Sequence, residues 1–274
     1  RTVPHRWYWR MQKRFDIRVH TFPDRIAKKT VAQLGEFGDV QPSFDGTRAG
    51  LIDAMRRAGI AGALNCPVAT NPGQVDSINE WAAEQNRWPV LSLGSIHPDS
   101  DDSEAALGAV RARGLPGIKM HPEYQEVSLD DPRFRRIAAI CRDLDLLLLL
   151  HAGADIGFQP PYRSTPMTVR SLVRDLPGLK LVAAHFGSWQ MWDDVEKHLL
   201  GEDVHLDLAF TLQCIPPDRL ADMIRRHGAE RVLFGTDAPW RDQTEDVHLF
   251  DAVPLSDAER DSILWRNAAG LLGI

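Results

Sequence analysis

Histidine recurs in this chain where short apolar runs end. His20 follows Ile17-Arg18-Val19, His97 follows Ile96, His121 follows Met120, His151 follows Leu146 to Leu150, and His185 follows Ala183-Ala184. Asp237 closes a similar run, Val232 to Thr236. A neutral imidazole nitrogen can ligate a divalent ion or move a proton near pH 7, and a carboxylate adds charge. His20, His151, His185 and Asp237 together offer three imidazoles and one carboxylate, a ligand set suited to zinc or a similar divalent ion. A lone histidine at a strand end is more often a hydrogen-bonded structural residue, so the argument rests on the set. Lys119 lies two residues before His121, which places both on one face of a strand, where an ammonium can hold a substrate carboxylate. Tyr162 and Arg163, in Pro160-Pro161-Tyr162-Arg163-Ser164, present an aromatic ring and a bidentate anion binder. Trp189 and Trp240 follow His185 and Asp237 closely and could wall an aromatic substrate, and Asp155 and Asp207 are weaker candidates.

Such side chains converge only if each ends its own strand at the same edge. Eight short β-branched or leucine-rich runs meet that need: 15–20, 60–65, 90–96, 117–121, 146–151, 180–185, 204–209 and 231–236. Several are almost continuously apolar, as in parallel strands buried on both faces. Helical faces separate them, such as Leu51, Ile52 and Met55 before Gly59, Ile137 to Leu144, and Leu220, Met223 and Ile224 before Gly228. Ser256 opens a capping box with Glu259. This alternation predicts an α/β fold, a single-domain (β/α)8 TIM barrel over 14–274, and no G-x-G-x-x-G or P-loop favours an open sheet. In such a barrel the C-terminal strand ends carry the chemistry.

Composition narrows the partners. With 32 Lys+Arg against 38 Asp+Glu in 274 residues, the net charge of −6 excludes a basic nucleic-acid binder. The longest aliphatic run, Leu146 to Leu150, is far short of a membrane span, which takes about 20 residues. Three cysteines, Cys66, Cys141 and Cys214, form neither a disulfide framework nor a C-x-x-C pair, which favours a reducing, cytoplasmic setting. Residues 1–13 read as an N-terminal extension, with Met11 as the expected natural start and Trp7, Tyr8 and Trp9 as a candidate docking arm. The expected partner is a small-molecule substrate, with a homo-oligomer left open.

Five strings carry a family resemblance: F-D-I-R-V-H-T-F-P-D-R-I-A from Phe15, G-I-K-M-H-P from Gly117, L-H-A-G from Leu150, A-H-F-G from Ala184 and F-G-T-D-A-P-W from Phe234. In this order and at barrel-unit spacing they resemble the amidohydrolase superfamily. Within it they resemble the group that includes aminocarboxymuconate-semialdehyde decarboxylase, resorcylate decarboxylases and pyrone-dicarboxylate lactonase. The resemblance implies a metal-dependent barrel with an H-x-H pair on strand one, one histidine each on strands five and six, and an aspartate on strand eight. It thereby assigns His20, His151, His185 and Asp237 to one zinc or manganese ion. It also implies hydrolysis of a small, carboxylated or cyclic substrate by metal-activated water. Asp237 would serve as ligand and proton acceptor, His185 as ligand and electrostatic partner, and Lys119, His121 and Arg163 would orient the substrate. Non-oxidative decarboxylation at the same site is the alternative.

One residue departs from the pattern. Arg18 stands where the first histidine of the pair belongs, and arginine offers donors only. Three readings follow: metal held by the remaining ligands and water, Arg18 paired with Asp237 in place of the metal's charge and the metal absent, or a degenerate, non-catalytic barrel.

Overall fold

The computed structural model describes residues 13–274, so the N-terminal extension, apart from Lys13, lies outside the described residues. Parallel strands alternate with helices. β1 (Phe15–Val19), β2 (Gly62–Asn65) and β3 (Val90–Ser92) pair in that order. β4 (Gly94–Ser95), β5 (Gly117–Met120), β6 (Leu147–Leu150), β7 (Leu181–Ala183), β8 (His205–Asp207) and β9 (Val232–Leu233) pair in sequence. Two backbone contacts bring the ends together. Ile17 N donates to Phe234 O at 2.9 Å and Asp237 N to Arg18 O at 2.9 Å, joining β1 to the segment after β9. At the other junction β3 and β4 are pieces of one expected strand, interrupted at Leu93, whose N–H reaches back to Asn65 O at 2.9 Å. The eight expected positions therefore close into a TIM barrel.

The strands are shorter than the apolar runs that announced them. His20, His151 and His185 fall just beyond their last paired residues, where the chain leaves the ladder and a side chain can turn across the mouth. Interior and exterior separate by alternation. Phe15, Ile17, Leu64, Leu147, Leu149 and Val182 form one buried cluster, closed by Trp265 and Leu271 of the C-terminal helical segment. Met120, Leu148, Leu150 and Leu206 pack outward on the helices. In β1 the register slips between Asp16 and Val19, so that Val19 joins the outer cluster while Ile17 is inside. Such an irregularity re-aims the residues beyond it, and Arg18 and His20 both come to line the mouth.

The expected helix signals are present. Helix Arg48–Ala58 stops at Gly59, in the left-handed conformation at φ 66°. Helix Pro132–Asp143 is capped by the Asp131 side chain, and Ser256 and Glu259 close the capping box of Asp257–Asp261. Gly117 lets β5 lie close to β6, because a Cβ there would overlap the carbonyl oxygen of Leu147. Gly117→Ala is expected to destabilise the barrel by on the order of 3 kcal/mol, read as a lowered urea midpoint; an unchanged midpoint would show that β5 and β6 can separate without cost.

Candidate active site

A cavity of about 730 Å³ opens at the barrel mouth, lined at its floor by Arg18, His20, His121, His151, His185 and Asp237. Trp81, Trp189, Phe210 and Trp240 contribute to its walls, as do Ile26, Leu34 and Phe37 of helix Asp24–Gly38. That helix carries two stripes. Ala27, Val31 and Gly35 are buried, and Ile26, Thr30, Leu34 and Phe37, offset by one position, line the cavity.

The floor is a continuous run of polar contacts. His20 Nε2 lies 2.9 Å from Asp237 Oδ1, and Arg18 Nε lies 2.9 Å from the same oxygen. Arg18 Nη1 donates to His185 Nε2 at 2.9 Å, and His185 Nε2 lies 3.1 Å from His151 Nδ1. His151 stacks on His121 with ring centroids 4.1 Å apart, and His121 Nε2 lies 3.2 Å from Asp155 Oδ2. The backbone is held for this purpose. His185 and Asp237 have φ of 58° and 69°, a region that costs a non-glycine residue about 1–3 kcal/mol and that clusters at functional sites. Asp207 Oδ1 accepts from His185 N at 2.9 Å and thereby fixes that turn.

Charges on the floor are set by burial and by Arg18. Burial alone would raise the Asp237 carboxyl, but Arg18 and His20 outweigh it and hold it well below the usual carboxylate range. Burial opposes the charge on Arg18, yet Asp237 and Asp207 keep its guanidinium above the ordinary value. His20 is lowered by burial, with Asp237 offsetting part of the effect. His121, His151 and His185 are lowered well below the ordinary value, first by burial and then by the positive or titratable groups around them, and so are neutral. Burial pushes the Cys66 thiol up to about 12, which removes it as a nucleophile at neutral pH.

Tautomers follow from the carbonyl partners. His185 Nδ1 donates to Ala209 O at 2.9 Å, leaving Nε2 as the acceptor for Arg18. His151 Nε2 donates to Ala154 O at 2.9 Å, so its Nδ1 carries no hydrogen. His151 Nδ1 and His185 Nε2, 3.1 Å apart, then have no hydrogen between them, and the His185 lone pair is taken by Arg18 Nη1.

The expected site residues divide into three groups. His20, His121, His151, His185, Trp189 and Asp237 all line the cavity. Lys119 does not: it is fully buried, its Nζ has no hydrogen-bond partner, and burial with the nearby Arg18 pushes it down to about 7. Tyr162 and Arg163 are also away from the lining, because Glu123 captures the loop, accepting from Arg163 N at 2.6 Å and lying 3.4 Å from its guanidinium. These three expected substrate-binding residues thus stand outside the cavity lining. Asp155, only a weak candidate in the sequence, sits at the cavity beside His121.

The ligand set assigned by resemblance does not gather. Among the described residues, the metal-capable group whose ligand atoms lie within 4.8 Å of one another is His121, His151 and Asp155. Arg18 is the reason, since its guanidinium touches both Asp237 and His185 and separates His20 from the histidines opposite. A divalent ion touching those two ligands would lie within a few ångströms of a permanent cation. Two unit charges 4 Å apart interact by about 4 kcal/mol at an effective dielectric of 20, and a divalent ion by roughly twice that. The assigned residues therefore do not fit a metal at that place.

A closed parallel barrel with titratable side chains converging on an apolar-walled mouth defines a TIM-barrel enzyme. The chain belongs to the amidohydrolase family, whose family model matches residues 16–274. No curated protein gives a significant match. Solved structures with the same fold include an uncharacterised TIM-barrel protein from Bordetella bronchiseptica, at 18% identity over 95% of this chain and 98% of that one, TM-score 0.76. A 2,6-dihydroxybenzoate decarboxylase from Rhizobium matches at 17% identity over 96% and 99%, TM-score 0.70. A 5-carboxyvanillate decarboxylase from Novosphingobium aromaticivorans, complexed with manganese and 4-hydroxy-3-methoxy-5-nitrobenzoic acid, matches at 15% identity over 96% of each chain, TM-score 0.73. Among the described residues no helix is long and apolar enough to cross a membrane.

Proposed function

We propose that the chain is a hydrolase of small, largely apolar carbonyl compounds, esters or lactones above all, in which a His20–Asp237 dyad activates water. The observation that carries this reading is the shared Asp237 Oδ1, 2.9 Å from both His20 Nε2 and Arg18 Nε. His20 donates through Nε2 to a carboxylate that Arg18 keeps ionised, which leaves Nδ1 as the atom able to take a proton from water. A carboxylate held that far down is a weak proton acceptor, so the role expected of Asp237 passes to His20. Asp237 then fixes the ring and stabilises the imidazolium formed as the proton moves, the arrangement of a histidine–aspartate pair in acyl transfer. Arg18 supplies fixed positive charge at the floor. The Trp189 indole N–H, buried and without a protein partner, is left to donate to a substrate oxygen. No step passes through a metal at Asp237.

Decarboxylation is the second reading, supported by the aromatic walls and by the two decarboxylases with this fold, whose substrates are aromatic acids. A panel of aryl esters, lactones and hydroxybenzoates assayed for both base consumption and carbon dioxide separates the two. Base consumption without carbon dioxide supports hydrolysis; carbon dioxide from hydroxybenzoates with inert esters and lactones contradicts it. The pH profile is a further expectation. His20 is lowered from 6.5 by burial, and only its neutral form accepts a proton. On a substrate from the panel, kcat/KM should rise with pH through an apparent pKa below 6.5 and level off by neutrality; a limb centred at or above 6.5 would exclude His20 as the base.

A further inference from the structure

The helix after β1 crosses the barrel mouth. It begins at Asp24, just past His20, and at its far end Phe37 meets Phe158, with ring centroids 6.4 Å apart, in the loop that follows β6. β6 holds the fifth of the eight barrel positions, opposite β1, so helix Asp24–Gly38 spans the opening as a roof. Gly157, at φ 88°, has no Cβ to meet the Phe37 ring and lets the loop close that end. Helix Val75–Gln85, after β2, lines the same cavity and repeats the two-stripe pattern of the roof. Its Val75, Asn79 and Ala82 are buried, while Ser77, Ile78 and Trp81 face the cavity. Two helices thus turn a largely apolar face toward one space, which leaves Ile26 and Phe37 of the roof 42% and 53% exposed. Apolar side chains gathered in this way at a concave site mark where a ligand buries apolar surface.

We infer that the substrate is an ester or lactone with one extended apolar tail, an alkyl chain on the order of ten carbons, which lies under the roof helix from His20 towards Phe37. The inference rests on the hydrolytic reading for the place of the carbonyl, at the His20–Asp237 end. The stripe from Ile26 to Phe37 is about 16 Å long at a rise of about 1.5 Å per residue, and a stripe one side chain wide suits a chain better than a broad fused ring. Ile26, Leu34, Phe37 and Ile78 offer neither donor nor acceptor to a polar tail, and Thr30 and Ser77 interrupt the two stripes with small side chains that leave width for the chain. Volume agrees with this. The cavity holds about 730 Å³, within the roughly 300–1,000 Å³ typical of sites for drug-sized ligands and far more than a carbonyl head over the dyad needs. Chain length then sets specificity, with Thr30, Leu34 and Ile78 as the residues that read it.

Methyl ketones from 2-pentanone to 2-decanone present the carbonyl and the tail without a bond to hydrolyse, and Trp81, Trp189 and Trp240, all in the cavity wall, report their binding by fluorescence. Measured on the full chain, Kd is expected to fall about threefold per added methylene, on the order of 100-fold across the series. Thr30→Trp fills the middle of the roof stripe and should cut that ratio about tenfold or more; Ile78→Gln puts an amide on the other helix and should cut it about threefold or more. Circular dichroism checks the fold of each, and because the two substitutions lie on different helices the test survives misfolding of either. A Kd independent of chain length overturns the inference, as does an unchanged ratio in the folded variants. Hydrolysis is judged separately, by base consumption on acetate to decanoate esters. Chain-dependent ketone binding with inert esters and lactones contradicts the hydrolytic reading alone, whereas hydrolysis of acetate esters with no gain from longer chains contradicts the tail alone.

Discussion

Asp237→Asn is expected to lower kcat by about 10³- to 10⁴-fold and to destabilise the fold at the same time. The catalytic loss follows from the dyad: an amide at position 237 neither stabilises an imidazolium at His20 nor fixes the tautomer that leaves Nδ1 free. The stability loss follows from Arg18. Its side chain is buried, and without Asp237 its nearest carboxylate is Asp207, 4.0 Å away. Removing one partner of a buried pair costs roughly 3–5 kcal/mol, which for a chain of this size lowers Tm by about 10 °C. Turnover within tenfold of the parent on a substrate from the panel would remove Asp237 from the reaction. An unchanged Tm would show that Arg18 finds another partner.

Arg18→His is the second large effect. It restores two imidazoles, at positions 18 and 20, on one strand facing the mouth, and exchanges a permanent cation for a neutral ligand. Without metal the variant should be less stable than the parent, because Asp237 loses its ion pair. With zinc it should bind one equivalent more than the parent and regain stability, since a ligand that binds only the folded state at about 1,000 times its Kd adds about 4 kcal/mol. Calorimetry and thermal melts of both chains, with and without zinc, check this. Equal stoichiometry and equal melting shifts would mean that position 18 does not reach the metal position of the family.

The barrel was legible in the sequence because most strands are buried on both faces and several helices have marked ends. Leu146 to Leu150 and Gly59 are signals of that kind, local in sequence and set by periodicity or by φ. The strand-end histidines and Asp237 were legible for the same reason, since the end of an apolar run is a local feature. Their contacts were not. That Arg18 lies between Asp237 and His185 depends on the register slip in β1 and on partners 219 and 167 residues away. Arg163 looked available to a substrate until Glu123, 40 residues earlier, was seen to hold it. The wall formed by Ile26, Leu34 and Phe37 left a trace in the sequence, a second stripe at helical spacing that lies away from any strand end.

The Arg18 guanidinium occupies the space between Asp237 and His185. A crystal structure of the chain grown in excess zinc or manganese, with anomalous density recorded at the metal edge, tests that placement most directly. The prediction is that Arg18 remains within hydrogen-bond distance of Asp237 and His185, with no anomalous peak between them. A peak bridging His20, His185 and Asp237, with the Arg18 guanidinium turned away, would contradict it.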